Sequence, residues 1–323
     1  MRFEARWTDA VVLETQALTP SVRGIALEPA DGAQDYSPGS HIQVEIPASR
    51  PSARSYSLVG AHRPGAPYRI AVRRHAHSRG GSRYVWSLEK GDRIRIGHPQ
   101  NLFELNLRAS AQLLVAGGIG ITPLVGMAQA LAESRASFEL LYCGSQRSEM
   151  PFVEELRSML GDRLRLYVSG EGQRLSFDSA IAALPPDAEF YVCGPPRMLD
   201  TAIRAWEAAG RAAERLRFET FGSGGHRSPE PFTVLVQEQG VEVSVPPDRS
   251  MLECLRAAGV DVMADCLRGE CGVCIVEVVR VEGSIDHADV FLSPAEKAAE
   301  QRICPCVSRA VGTLTIDTGF RLQ

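Results

Sequence analysis

Three cysteines set close together, Cys266, Cys271 and Cys274, follow a C-x₄-C-x₂-C pattern. Two further cysteines, Cys304 and Cys306, lie about thirty residues on. That is the spacing of a [2Fe–2S] centre, in which one tight loop supplies three thiolates and a distant segment closes the site with a fourth. Gly269 and Gly272 sit inside the loop. They allow its backbone to approach the inorganic sulfides, so that N–H groups offset the negative charge. A zinc ribbon would show two C-x₂-C knuckles, whereas only one is present. By spacing alone, Cys304 and Cys306 are both open as the fourth ligand.

Two other sets of residues carry chemistry. Gly117-Gly118-Ile119-Gly120-Ile121-Thr122-Pro123 follows an apolar run at residues 112–116 and opens a helical stretch at 123–134. A strand, a glycine turn and a helix in that order suit a pyrophosphate at a helix N-terminus. Cys193-Gly194-Pro195 ends another apolar run and places a thiol and an open turn at a sheet's carboxyl edge. Arg54-Ser55-Tyr56-Ser57 ends a run in the N-terminal third. There an Arg can hold a phosphate, a Tyr can stack on a planar ring, and a small hydroxyl can bond a ring nitrogen. Arg79-Gly80-Gly81-Ser82-Arg83 is a second candidate anion-binding turn.

These residues need three kinds of scaffold. Residues 1–106 carry short β-type runs at 11–13, 22–27, 41–46, 68–72 and 93–96, separated by Pro/Gly turns, as in a small antiparallel barrel. Residues 107–226 alternate strands at 112–116, 138–143, 163–169 and 190–193 with helices at 123–134, 149–160 and 197–210. That alternation implies a doubly wound parallel sheet. The Gly/Ser/Pro-rich stretch 221–231 is a linker. Beyond it, residues 233–237 and 241–245 form a hairpin, and Ser250 caps a helix over 251–258. The predicted architecture is therefore three domains, 1–106, 107–226 and 227–323.

The chain has 323 residues, 44% hydrophobic and 23% charged, a composition that excludes wholesale disorder. Its net charge of −4 argues against nucleic acid as the main partner. The charge is uneven. Residues 1–106 hold 14 Lys/Arg against 10 Asp/Glu, residues 107–231 hold 13 against 15, and residues 232–323 hold 8 against 14. The acidic third also contains six of the eight cysteines, which fits electron transfer to a basic patch on a partner. No apolar run reaches the roughly 20 residues of a membrane helix. Residues 1–9 lack the apolar core of a signal peptide, so a cytoplasmic location and no membrane partner are expected.

The order of these motifs resembles the phthalate dioxygenase reductase family, to which vanillate demethylase reductases are similar, over essentially the whole chain. The resemblance implies an antiparallel β-barrel binding FMN, an α/β nicotinamide domain and a C-terminal plant-type ferredoxin domain of β-grasp form. It implies an enzyme that passes electrons from NADH through FMN to a [2Fe–2S] cluster. The acceptor would be a Rieske-type oxygenase acting on aromatic or related substrates. It further implies that Arg54, Ser55 and the Gly80-Gly81-Ser82 turn bind FMN, with Tyr56 and Ser57 facing its ring and Ser57 near N5. Gly118, Gly120, Thr122 and Gly194 would line the dinucleotide site, and Cys193 would lie at the nicotinamide, so that Ser57 and Cys193 are the expected catalytic residues. Phe221 would shield the flavin face.

The segment from Cys306 to Thr318 resembles the end of plant ferredoxins, making Cys306 the expected fourth ligand beside Cys266, Cys271 and Cys274. Many family members carry an arginine two residues after the cysteine at position 143, which this chain lacks; Arg147 is the shifted substitute. Glu171 stands where NADPH-specific relatives tend to carry an arginine, so NADH is the expected donor. The chain is expected to be a monomer. A redox sensor reporting flavin state to a partner is the alternative of a different class.

Overall fold

Along β1 (Trp7–Thr19) and β2 (Val22–Pro29), apolar side chains such as Ala10, Val12, Ile25 and Leu27 recur on one face and are buried. This is the period of a strand with one covered side. A computed structural model gives the tertiary arrangement and describes residues 6–47, 52–74, 80–221 and 229–319. Arg79 and residues 222–228 of the expected linker lie outside the described residues. The chain divides into two compact units, Met1–Glu219 and Thr220–Gln323.

In the first unit, β1 and β2 join β3 (His41–Ile46), β4 (Ser52–Ser57), β5 (Tyr68–Arg73) and β6 (Arg93–Gly97). The sheet runs β4-β3-β6-β1-β2-β5 and every pairing is antiparallel. An antiparallel bridge from Leu58, just past β4, to Ile70 in β5 joins the two edge strands and closes the sheet into a barrel. Helix α1 (Gly81–Ser87) lies between β5 and β6.

The second sheet of this unit begins with β7 (Gln112–Gly117), whose six residues are all buried. A central parallel strand covered on both faces reads as a continuous apolar run for that reason. It is followed by α2 (Ile121–Glu133), β8 (Phe138–Gly144), α3 (Val153–Leu160), β9 (Leu164–Val168), α4 (Phe177–Ala182), β10 (Glu189–Cys193), α5 (Pro196–Ala208) and β11 (Leu216–Glu219). The order is β11-β10-β7-β8-β9, all parallel, with the direction of winding reversing between β7 and β10. The expected helix over 149–160 starts four residues late. Pro151 keeps Met150 extended, and Phe152 takes a left-handed conformation (φ 66°) before the helix begins. Helix α4 and strand β11 were not foreseen from the sequence.

Helix α2 meets the barrel closely at a pair of glycines. A Cβ on Gly126, in α2, would lie 2.7 Å from the Gly60 carbonyl oxygen, and the neighbouring Ala61 N–H donates to Gln129 Oε1 (2.6 Å). Glu149 accepts hydrogen bonds from Thr19 (3.2 Å) and Ser21 of the barrel.

The second unit is a mixed sheet of β12 (Phe232–Val236), β13 (Val241–Val245), β14 (Val276–Asp286), β15 (Arg302–Ile303) and β16 (Arg309–Asp317), ordered β13-β12-β16-β14-β15. Only β12 and β16 pair in parallel. Helix α6 (Met251–Ala257) packs Met251, Leu252, Cys254 and Leu255 into the core beside this sheet. Its start is fixed by a capping box: the Glu253 N–H donates to Ser250 Oγ (3.1 Å), and the Ser250 N–H donates to Glu253 Oε2 (2.8 Å). A short helix α7 (Pro294–Ala299) precedes β15. Cys266, Cys271 and Cys274 lie on the loop between α6 and β14; Cys304 and Cys306 lie between β15 and β16.

Gly126→Ala is expected to push the barrel and the parallel sheet apart and lower unfolding stability by about 1–3 kcal/mol. Urea denaturation checks this; an unchanged midpoint would show that the contact yields freely.

Candidate functional site

At the carboxyl edge of the parallel sheet, the turns after β7 and β10 lie side by side, since Ala116 pairs with Cys193. Their backbones touch. A Cβ on Gly120 would overlap the Cys193 carbonyl, and one on Gly117 would stand 2.7 Å from Met198 Sδ and 3.1 Å from the Gly194 Cα. Gly117, Gly120 and Gly194 are therefore glycine because of each other. Gly118, with φ 56°, has only Arg73 Nη1 of the barrel near its open side, at 3.6 Å. Thr122 is buried and its hydroxyl donates to the Ile119 carbonyl (3.1 Å), bracing the turn.

Such an edge, where the winding reverses, is where open α/β sheets bind ligands. Glu219 ends β11 in register with Cys193. It is buried, as is Ser57, whose hydroxyl donates to Glu219 Oε2 at 3.3 Å. The fold thus gathers Ser57, Cys193 and Glu219 from three strands. Glu219 was missed from the sequence, where its signal was an acid ending the short apolar segment Leu216–Glu219. Arg73, an exposed cation at the end of β5, was missed as well.

On β4, Arg54 and Tyr56 face α1. A Cβ on Gly81 would meet Arg54 Cγ at 2.8 Å and the Tyr56 hydroxyl at 3.0 Å. The two expected phosphate-binding motifs are therefore joined, although more than twenty residues separate them. Burial pushes the Tyr56 phenol well above its ordinary range, so it stays protonated. Ser82 Oγ is buried without a hydrogen-bond partner among the described residues. An orphaned hydroxyl beside an arginine and two glycines fits a phosphate. Ser55 alternates to the other face of β4, and Phe221 is the second residue of the second unit, just past β11.

In the second unit the thiols gather in two groups, Cys266 with Cys271, and Cys274 with Cys304 and Cys306. Cys274 Sγ stands 3.3 Å from Cys306 Sγ, and Cys271 exchanges a hydrogen bond with Cys266. Among the described residues, no three His, Cys, Asp or Glu side chains meet as they would around a single ion. Backbone N–H groups face the sulfurs: Arg268 N–H donates to Cys266 (3.4 Å), that of Val273 to Cys271 and that of Gly269 to Cys306. Gly269 and Gly272 make this possible with φ of 75° and 71°. Hydrogen bonds from Cys304 and Cys306 draw the Cys274 thiol far below its ordinary range and push their own thiols up, so that the three sulfurs share one negative charge. Two thiolates for each of two irons fit this donor set. Cys304 is fully buried in the core, against Cys274.

Comparison with known proteins agrees with this geometry. Residues 114–204 match the oxidoreductase NAD-binding domain, and residues 234–311 match the 2Fe-2S iron-sulfur cluster binding domain. The solved phthalate dioxygenase reductase, described as a modular structure for electron transfer from pyridine nucleotides to [2Fe-2S], superposes with a TM-score of 0.79 at 30% identity. The match covers 96% of this chain and 98% of that one. The chain belongs to the phthalate dioxygenase reductase family.

Within that family, it is 38% identical to the heme-dependent oxidative N-demethylase beta subunit of Ectopseudomonas mendocina, over 94% of this chain and 96% of that protein. The vanillate O-demethylase oxidoreductase of a Pseudomonas species is also 38% identical, over 84% and 86% of the two chains. A type IV self-sufficient cytochrome P450 monooxygenase contains the same fold (TM-score 0.68, 33% identity); this chain spans 41% of its length. The protein is an oxidoreductase, the reductase component of an oxygenase system. Among its described residues no helix is long and apolar enough to cross a membrane.

Ser57→Ala removes a hydrogen bond from the buried Glu219 carboxylate, and a loss of stability of about 1–3 kcal/mol is expected. Thermal unfolding of the wild type and the variant at equal cofactor content measures it.

Proposed function

We propose that this reductase takes electrons from NADH at an FMN held by residues 1–106 and passes them to a [2Fe–2S] cluster in residues 227–323. Residues 107–226 would form the NADH domain. When bound, the flavin accepts two electrons as hydride and releases them singly, while the cluster carries one at a time. The convergence of Ser57, Cys193 and Glu219 at the reversal of the parallel sheet carries this reading.

The chain's own residues position, screen and neutralise. Arg54 and the Gly80-Gly81-Ser82 turn would hold the FMN phosphate, with Tyr56 on the same face of β4 and Ser55 on the other. Ser57, whose hydroxyl donates to Glu219, would face the flavin ring near N5 with its oxygen left as an acceptor. Gly118 would leave room for the dinucleotide over a turn that Gly120 packs against Cys193 and Thr122 braces, and Arg73 would add a positive charge at its pyrophosphate. Cys193 and Gly194 form the floor under the nicotinamide. Cys266, Cys271, Cys274 and Cys306 hold the cluster. Cys306 is favoured over Cys304 because it interacts with both Cys274 and Cys266 and accepts the Gly269 N–H.

The partner we propose is a Rieske-type oxygenase, met in the cytoplasm by a monomeric reductase through the acidic surface of residues 232–323. A heme oxygenase is the second reading, favoured by the heme-dependent relative and by the cytochrome P450 fusion. Mixing the NADH-reduced protein with each class separates the two. A Rieske centre loses its visible absorption on reduction, whereas a heme shifts its Soret band.

Purified protein should show overlaid flavin and iron–sulfur absorption, and NADH should bleach both. Cys271→Ser should abolish NADH-dependent cytochrome c reduction; if the rate is untouched, electrons leave from the flavin and the route is wrong. Cys306→Ser should lose iron and acid-labile sulfide, while Cys304→Ser keeps them. The opposite result would make Cys304 the ligand.

A further inference from the structure

The turns that follow β8 and β9 carry an ion pair built with unusual regularity for an exposed surface. Arg147 donates from Nε to Glu171 Oε1 (3.2 Å) and from Nη2 to Glu171 Oε2 (2.9 Å), so one whole edge of the guanidinium faces the carboxylate. Both side chains are a little under half exposed. The turns that bear them are themselves locked. The Gly170 N–H donates to the Ser145 carbonyl (2.9 Å), and a Cβ on Gly170 would come within 2.6 Å of that oxygen. Ser169 Oγ donates to the Gly144 carbonyl (3.4 Å). The hydrogen bonds with Arg147 hold the Glu171 carboxyl below its ordinary range, so it remains ionised throughout the neutral region.

The position gives the pair a task. Strands β8 and β9 are the first and second neighbours of β7 on the side away from β10. With strands about 4.8 Å apart, their turns lie roughly 5–10 Å from the glycine turn. If the nicotinamide lies towards β10 and the pyrophosphate at β7, the adenosine ribose falls over Arg147 and Glu171. A carboxylate alone would repel a 2′-phosphate, but this carboxylate is neutralised. What excludes the phosphate is then occupancy, since the cation that could bind it is already engaged. Arginine meets phosphate through the same two-toothed edge that it offers here to a carboxylate.

We propose that Arg147 is a latent 2′-phosphate-binding residue which Glu171 keeps occupied, so that preference for NADH over NADPH rests on this one ion pair. The inference rests on the reading that a nicotinamide dinucleotide lies along this sheet edge. Glu171 serves the donor in two ways, accepting a bond from the ribose 2′-hydroxyl and holding Arg147 away from any phosphate. A change at Glu171 that keeps its shape but removes its charge releases the arginine.

The test uses the flavin- and cluster-loaded protein and its Glu171→Gln, Arg147→Ala and double variants. Binding of 5′-AMP and 2′,5′-ADP is measured by calorimetry, and kcat/KM is measured for NADH and NADPH with ferricyanide as acceptor. Glu171→Gln should tighten 2′,5′-ADP relative to 5′-AMP and raise kcat/KM for NADPH relative to NADH by about 10- to 100-fold. Arg147→Ala should weaken 2′,5′-ADP, because the carboxylate is then bare. The double variant should lose the gain. If it keeps the gain, repulsion by Glu171 is the discriminator and the proposal is overturned. If neither nucleotide responds to any variant, adenosine does not reach these turns, and the underlying placement of the dinucleotide fails with it.

Discussion

Two backbone turns in direct contact govern the first unit. The turn after β7 and the turn after β10 approach so closely that a single methyl group on Gly120 would overlap the Cys193 carbonyl. With no side chain between them, β7 and β10 bring their carboxyl ends level, α2 begins at Ile121, and Cys193 stands in register with both Ala116 and Glu219. The barrel docks on the same helix at Gly126, again backbone to side-chain-free backbone. Ser57 is thereby carried to Glu219. The glycines thus act first on protein geometry, and the room that a dinucleotide would use is a consequence.

The second unit solves a different electrostatic problem. Several thiols buried together resist ionisation unless charge is shared or hydrogen bonds offset it. Here the thiols share hydrogen bonds among themselves, and backbone N–H groups of the loop point inwards at Cys266, Cys271 and Cys306. Cys254 shows the contrast. It sits in α6 within the apolar core, where burial pushes its thiol up and makes it inert packing. Cys143, at the end of β8 in the first unit, is likewise pushed up by burial, to about 12.

Elements whose pattern is set by neighbours in sequence were legible. The wholly buried β7 and the capped helix α6 lie within a residue or so of where periodicity and capping residues place them. Elements that depend on tertiary support were not. Strand β11 has only four residues, of which Glu219 alone is buried, and it is a strand because β10 pairs with it. The start of α3 moved because the backbone at Phe152 adopts a conformation that no apolar spacing reports.

The sequence by itself determined the kinds of chemistry present: a clustered set of thiols, a glycine turn between an apolar strand and a helix, and an Arg-Ser-Tyr-Ser strand end. These are local signals, because each needs residues a few positions apart. The tertiary structure alone decided which distant groups meet. Ser57 and Glu219 are 162 positions apart, and Arg147 and Glu171 are 24 apart on different turns. Hydrogen bonds and ion pairs fall off within a few ångströms of space and are blind to distance along the chain. Such pairings exist only once the sheet order has brought their strands side by side.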